Sequence, residues 1–297
     1  MFHDFLTLDL PLLGEVTITS FGVMMVAAFL VATWVMRRRL KELDHDPRLA
    51  DDIMVASLIG GLVGAKLYYV VLYWQISPAG PWPLLFSRGG LVWYGGLIGG
   101  AAAVVWMVWR REGVSVPFAA DLVAPALALG YGIGRIGCFL VGDDYGRPTD
   151  SWVGVAFPDG EPPTTAGKLR ERFGVDVPAS IPDGQVLEVY PTQLFEVAAG
   201  FAIFALLWRL RDHAHRAGWL FAVWMAAAGV ERLFIEVFRA KDDRFLGPLT
   251  LAQLISLLLV ALGAALWWRL RRPEGARADE SDAGAEGAGT ERSTADA

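Results

Sequence analysis

The sequence predicts an all-α integral membrane protein of about seven transmembrane helices, with a small strand-and-turn cap on its outer face. Three observations lead there. The chain is 54% hydrophobic with a mean hydropathy of +0.40, too apolar for an ordinary soluble domain. Several apolar runs approach the roughly 20 residues needed to cross a hydrocarbon core of about 30 Å. Lysines and arginines gather at alternate ends of those runs, the pattern that sets orientation in a bilayer.

The spans fall at 18–36, 53–74, 91–109, 118–141, 192–208, 218–237 and 249–268. The second is rich in glycine, the fourth carries buried charge and the sixth carries three ionisable groups. All three are retained because the charge pattern requires an odd number of crossings. One side holds Arg37, Arg38, Arg39, Lys41, Arg48, Arg110, Arg111, Arg209, Arg211, Arg216, Arg269, Arg271, Arg272 and Arg277, fourteen in all. The other holds eight: Arg88, Arg147, Lys168, Arg170, Arg172, Arg239, Lys241 and Arg244. The richer side belongs inside. The N-terminus is then outside, the C-terminus inside, and the loop 142–190 outside.

Residues 1–272 form the membrane domain in this reading, and 142–190 form its outer cap. The cap carries the turn signals Pro158-Asp159-Gly160 and Pro182-Asp183-Gly184. It also carries short apolar alternations at 152–157 and 186–190. The tail 273–297 is acidic and lacks aromatics, so it cannot bury enough apolar surface to order itself. Its seven acids and two bases account for most of the formal net charge of −6.

Composition also excludes several classes. The basic residues are scattered into short clusters at span ends, so nothing suggests nucleic-acid binding. Cys138 is the single cysteine, so no internal disulfide forms. His3, His45, His213 and His215 lie outside the apolar runs, and neither a metal nor an organic cofactor is implied. The N-terminus lacks a basic n-region, so the first run reads as a span rather than a cleavable signal. Glycines four apart, Gly60 and Gly64, Gly96 and Gly100, Gly130 and Gly134, allow close helix approach in lipid. The Gly95-Gly96 step beside Tyr94 also leaves room for a ligand.

Ionised groups at membrane depth are costly and mark functional sites by default. This chain places Lys66, Asp121, Arg135, Glu196, Glu231, Arg232, Glu236 and Arg239 in or near its spans. Arg232, Glu236 and Arg239 share one helix face. An Arg232–Glu236 ion pair that pins helices is the structural alternative for that stripe. Lys66 and Asp121 have alternatives too, snorkelling or bonding a helix end. Arg135 stands among Gly132, Gly134 and Gly137, ahead of Gly142-Asp143-Asp144-Tyr145-Gly146. An arginine fork in such a segment suits bidentate binding of phosphate or carboxylate. At the depth of the outer headgroups, a phospholipid phosphate is the natural partner. Glu231 or Glu236 would satisfy one arginine, but a lipid phosphate is the better match for two, so Arg135 and Arg232 would clamp one phosphodiester.

The stretch Gly134-Arg135-Ile136-Gly137-Cys138-Phe139-Leu140-Val141-Gly142-Asp143-Asp144-Tyr145-Gly146 resembles the signature of the bacterial prolipoprotein diacylglyceryl transferases. Four further stretches follow in the family's order: Trp93 to Gly99, Tyr190 to Glu196, Glu231 to Arg239 and Leu249 to Leu254. Together they cover about 21–268. The resemblance implies an enzyme of the cytoplasmic (inner) membrane. It would move a diacylglyceryl group from phosphatidylglycerol to the thiol of a lipobox cysteine in a precursor protein, releasing glycerol phosphate. It implies roles for Arg135, Gly146 and Arg232, with Glu236 and Arg239 beside them. Gly95, Gly96, Cys138, Tyr145, Gln193, Glu196 and Lys66 join these as expected substrate-binding positions.

The chain departs from the family pattern at Phe21, where members usually have tyrosine, and at Tyr94 and Tyr190, where they usually have histidine. Cys138 replaces an asparagine and Asp143 a glutamate. This reads as a divergent member or paralogue. The thiol proton needs a base, because the thiolate is the nucleophile. Asp143, Asp144, Glu236 and Tyr94 are candidates, with Asp143 preferred; the alternative for Asp143 is a loop residue capping backbone N–H groups. Cys138 reads as a small apolar filler, with a chemical role as the alternative. Other readings are a transferase with the same donor and another acceptor, or a non-catalytic phospholipid-binding protein.

Overall fold

The computed structural model describes residues 3–10, 14–75, 80–87, 89–240, 244–246 and 249–271. The expected tail at 273–297 lies outside them. In chain order the elements are β1 (Asp4–Leu10), β2 (Gly14–Thr19), α1 (Ser20–Glu42), α2 (Arg48–Tyr73), α3 (Pro81–Phe86), α4 (Trp93–Trp109), α5 (Val116–Val141), β3 (Val155–Ala156), α6 (Ala166–Phe173), β4 (Glu188–Val189), α7 (Thr192–Leu210), α8 (Trp219–Glu236), β5 (Arg244–Leu246), β6 (Leu249–Thr250) and α9 (Leu251–Leu270).

Each apolar run of the sequence lies on a helix, and local chemistry fixes several of the starts. Thr19 Oγ1 accepts from Gly22 N at the head of α1, and Ser115 Oγ accepts from Phe118 N at the head of α5. Thr250 and Gln253 form a reciprocal capping box at the head of α9. Among the described residues five helices, α1, α2, α5, α7 and α9, are long and apolar enough to cross a membrane. α4 is apolar but shorter, and α8 carries Glu231, Arg232 and Glu236 within its 18 residues. Large apolar side chains such as Leu30, Leu62, Val71 and Leu258 point outward, as a lipid-facing surface requires.

α2 packs chiefly on α4, α8 on α9, and both α1 and α7 on α5. Glycine sets the first contact, in a register different from the expected one. A Cβ at Gly60 would stand 2.6 Å from the Gly99 carbonyl oxygen, and one at Gly99 would stand 2.7 Å from Gly64 Cα. The tight seam is therefore Gly60 and Gly64 against Gly95 and Gly99, with Gly96 and Gly100 less crowded. Gly95 is buried against α2, so the room for a ligand expected there is filled by helix. Gly130 and Gly134 meet nothing closer than 3.8 Å. On α5 the close approach falls at Gly132 instead, 3.0 Å from a Cβ placed on Gly200 of α7. Four-residue spacing identified the glycines, but only helix rotation selects which of them lie closest to a neighbour.

One end of the bundle is knitted by exposed ion pairs: Arg37–Asp51 and Arg39–Asp212 at 2.7 Å, Arg211–Glu42 at 3.3 Å, and Arg111–Asp52. Such pairs contribute little individually, but they place the ends of α1, α4 and α7 on one face. Asp121, near the start of α5, accepts from the backbone N–H groups of Gly218 (2.7 Å) and Phe221 (2.8 Å). It caps the head of α8, the helix-end role that was its alternative.

The opposite end carries the cap. β3 and β4 pair antiparallel, Val155 opposite Val189, where the alternating runs fall. The cap also contains α6, so a purely strand-and-turn description is incomplete. That helix has few apolar residues, Leu169 and Phe173 four apart among charges, too brief a stripe to read as periodic. Its core gathers Tyr145, Phe157, Ala166, Leu169, Val177 and Val189. Phe139 from the end of α5 meets Phe157 edge-on at 5.7 Å and ties the cap to the bundle. The β1–β2 hairpin reaches the cap through His3, which contacts the Asp159 carbonyl and lies 3.6 Å from Glu161.

Candidate active site

Four of the five motifs meet where the cap joins the bundle. α5 contributes Tyr131, Arg135 and Cys138, which at i, i+4 and i+7 share one helical face. α5 stops at Gly142, whose left-handed φ of 74° turns the chain, and Asp144 follows with φ 53°. That turn is held from α7: Thr192 Oγ1 donates to the Asp144 carbonyl (2.8 Å) and Gln193 Nε2 donates to the Asp143 carbonyl. Gly146 N donates to the Tyr190 carbonyl, and Arg147 N to the Phe238 carbonyl, each at 2.8 Å. A Cβ at Gly146 would stand 2.5 Å from the Phe238 oxygen, which explains glycine at this position.

Every arginine of the cluster has a carboxylate, where the sequence pattern offered one of Arg135 and Arg232 an acid, and the Arg232–Glu236 pair is the structural alternative for that stripe. Arg135 pairs with Asp144 (2.9 Å) and Glu196 (3.3 Å), Arg239 with Asp144 (3.2 Å), and Arg232 with Glu236 (2.8 Å). Glu196 is fully buried and Glu236 nearly so, so the pairing offsets their desolvation. Glu236 also accepts from Thr250 Oγ1 at 2.9 Å, which brings in the Leu249–Leu254 motif at the head of α9. Arg232 Nη1 is buried without a hydrogen-bond partner among the described residues. Pairing therefore does not exhaust the cluster's donors.

Tyr131 is a member the sequence reading missed. Its hydroxyl lies 2.9 Å from Glu196 and 3.3 Å from Glu231, and Arg135 stacks over its ring at 5.2 Å. The available signal was its place four residues before Arg135 on the same face of the helix. Asp144 carries two arginines and is more central than its place among the candidate bases implied.

Cys138 is buried, with its Sγ 3.7 Å from Arg135 Nη1. The Asp143 and Asp144 carboxylates lie within 4.8 Å of that sulfur. The two aspartates differ. Burial, followed by the charge of Asp144, holds Asp143 above the usual carboxylate range. Burial pushes Asp144 the same way, but Arg239 and Arg135 outweigh it and hold Asp144 below that range.

The remaining expected site residues lie elsewhere. Tyr145 is buried in the cap core, where its hydroxyl donates to the Pro162 carbonyl (2.8 Å) and burial pushes it up to about 12. Lys66 donates to Ser87 O, Ser87 Oγ and Gly89 O at 2.7, 2.9 and 2.6 Å, tying α2 to the segment before α4. Tyr94, Gly95 and Gly96 sit at the start of α4, Tyr94 edge-on to Trp93 at 5.2 Å. None of the cluster's ion pairs reaches these four residues. Of the departures, Phe21 packs against Gly137, and the Tyr190 ring lies 5.2 Å from Phe238.

Comparison with known proteins identifies the family. The family described as prolipoprotein diacylglyceryl transferase matches residues 10–269. Among similar proteins, a phosphatidylglycerol–prolipoprotein diacylglyceryl transferase of Gloeobacter violaceus is 31% identical over 267 residues, covering 88% of this chain and 91% of that protein. One from a Nostoc species is 33% identical over 268 residues, covering 86% and 87%. A phosphatidylglycerol–prolipoprotein diacylglyceryl transferase 2 of Clostridium perfringens is 30% identical over 268 residues, covering 89% and 96%. The motifs that build the arginine cluster and the match along nearly the whole membrane-embedded chain lead to one conclusion: the protein belongs to the prolipoprotein diacylglyceryl transferase family.

Proposed function

We propose that this chain transfers a diacylglyceryl group from phosphatidylglycerol to the thiol of a lipobox cysteine in a secreted precursor, releasing glycerol phosphate. The observation that carries the reading is the gathering of Arg135, Arg232 and Arg239 at the capped end of the bundle, with Arg232 Nη1 still lacking an acceptor. A lipid phosphodiester supplies that acceptor and takes the charge-assisted bonds of the forks. The new S–C bond forms as the glyceryl C–O bond breaks, and the electron pair stays on the phosphate oxygen. Fixed arginines stabilise that developing charge without reorganising. Asp143 takes the thiol proton. Tyr94, Gly96 and Lys66 line the approach along α2 and α4 in this proposal, and Gln193 and Tyr145 hold the turn and cap around the site.

The direct test is purified protein in phosphatidylglycerol vesicles with a lipobox peptide, read as loss of free thiol and gain of lipid mass. Unmodified peptide would overturn the proposal. If Asp143 is the base, the transfer rate rises as pH rises through its elevated pKa. The acid limb then lies above about 4, the ordinary aspartate value, and Asp143→Asn removes it. An unchanged limb in that variant assigns the base elsewhere. Cys138→Asn is expected to keep transfer within a few-fold of wild type, because the sulfur fills space against Arg135. Loss of transfer with normal expression would make the thiol a participant.

Seven crossings complete the proposal, with α4 and α8 joining the five long apolar helices, the N-terminus and 142–190 outside, and the C-terminal tail inside. The protein sits in the bacterial cytoplasmic membrane in this arrangement. A cysteine at Ser180 is expected to label from outside intact cells, and one at Glu112 only after lysis. External labelling at 112 would overturn the topology. The family pattern also favours a second reading: the arginine elements match it, whereas Phe21, Tyr94, Cys138, Asp143 and Tyr190 depart. A paralogue using the same donor with another acceptor would show lipid turnover without peptide modification.

A further inference from the structure

We propose that Glu231 carries a proton in the resting protein, and that Tyr131 passes it to Glu196 when phosphate leaves beside Arg135. The proton's location stands on the cluster alone; its delivery rests on the transfer reaction proposed above.

The Tyr131 hydroxyl has one proton and two carboxylate neighbours, Glu196 at 2.9 Å and Glu231 at 3.3 Å. It cannot donate fully to both. Donation to Glu196, the nearer, leaves its oxygen as an acceptor facing Glu231, and a protonated Glu231 is the donor that completes the chain. Charge counting points the same way. Arg135, Arg232 and Arg239 are matched by Asp144, Glu196 and Glu236 through ion pairs. Glu231 takes no part in an ion pair among the described residues, and its ionisation would add an unmatched negative charge beside buried Glu196.

The helices around Glu231 supply nothing that changes this count. α5 presents Tyr131 and Arg135, α7 presents Glu196, and α8 itself presents Arg232 and Glu236. α9 carries no ionisable group before Arg269. Tyr131 also lies under the Arg135 guanidinium at 5.2 Å, so one side chain contacts both the proton store and the phosphate-binding fork.

The proton balance closes. Breaking the C–O bond gives the phosphate monoester one additional negative charge. The Glu231 proton moves to Tyr131 Oη as the Tyr131 proton moves to Glu196, and Glu196 yields a proton to the phosphate oxygen at Arg135. The acceptor's thiol proton goes to Asp143 and then to outer water, which reprotonates Glu231. Tyr131 and Glu231 are positioning residues here, acting through Glu196.

The test is infrared spectroscopy of the full protein in phosphatidylglycerol vesicles at neutral pH, paired with transfer rates across pH. The expected spectrum contains the C=O stretch of a protonated carboxyl, absent in Glu231→Gln and shifted in Tyr131→Phe. Transfer is expected to fall about tenfold or more in Tyr131→Phe, in kcat rather than KM, with an altered pH profile. No Glu231-dependent carboxyl band would overturn the proton's location, whatever the transfer rate. A band with unchanged pH profiles in both variants would overturn the delivery. A band in a protein that modifies no lipobox peptide would sink the transfer reading and the delivery but leave the protonated Glu231 standing.

Discussion

Arg135→Ala is expected to lower diacylglyceryl transfer at least about 100-fold, the scale of losing one fixed donor to a developing charge. Arg135 is the fork shared by the outer turn and the buried carboxylate, bonded to Asp144 at 2.9 Å and facing Glu196 at 3.3 Å. Removing it also leaves Glu196 buried without its cation, which costs about 3–5 kcal/mol where a buried pair is broken from one side. The two effects separate experimentally. In Arg135→Ala/Glu196→Gln the orphaned charge is gone, so thermal stability in detergent should recover while transfer stays low. Arg135→Lys should recover only part of the rate, because an ammonium keeps the charge without the fork. The measurements are lipid mass gained by a lipobox peptide and copurified phosphatidylglycerol per protein. Full transfer and full lipid occupancy in Arg135→Ala would make this arginine structural.

Gly146→Val should be the other severe change, through geometry rather than charge. Its first added carbon would stand 2.5 Å from the Phe238 oxygen, 2.9 Å from Tyr190 Cβ and 3.0 Å from Thr192 Cγ2. Two of those neighbours are backbone or Cβ atoms that cannot swing aside. Overpacking of this kind costs about 1–3 kcal/mol. Here the strain falls on the two backbone bonds that join the turn to Tyr190 and Phe238. Asp144 would then lose its register with Arg239. Transfer is expected to fall about 100-fold or more, since small misplacements at a reacting site are amplified. The cap should become more sensitive to protease while the helices remain intact. A variant with wild-type transfer and an equally resistant cap would show that the junction tolerates opening.

The two substitutions probe different kinds of information. Arg135 was legible because a charge inside an apolar run is costly wherever the run folds. Gly146 was legible only through the family signature, since the need for glycine there comes from Phe238 and Tyr190, distant in sequence. Tyr131 was overlooked because a tyrosine in a membrane helix is unremarkable until two carboxylates from other helices meet its hydroxyl.

The sequence by itself determined the helices and their approximate ends, because apolar run length and capping residues such as Thr19, Ser115 and Thr250 are local properties. It determined which residues are too polar to lie in lipid without a reason. It also marked the two short alternating stretches of the cap that become β3 and β4, though not that they pair with each other. Only the tertiary structure decided who meets whom. It brought Gly95 and Gly99 closer to α2 than Gly96 and Gly100, because a helix's rotation about its axis is set by packing. It paired Arg135 with Asp144 and Glu196, because burying a charge requires a counter-charge, and here that counter-charge comes from distant segments that no local pattern specifies. It placed Tyr145 in the cap core and used Asp121 to cap α8, because those contacts span many residues of chain and exist only once the helices have assembled.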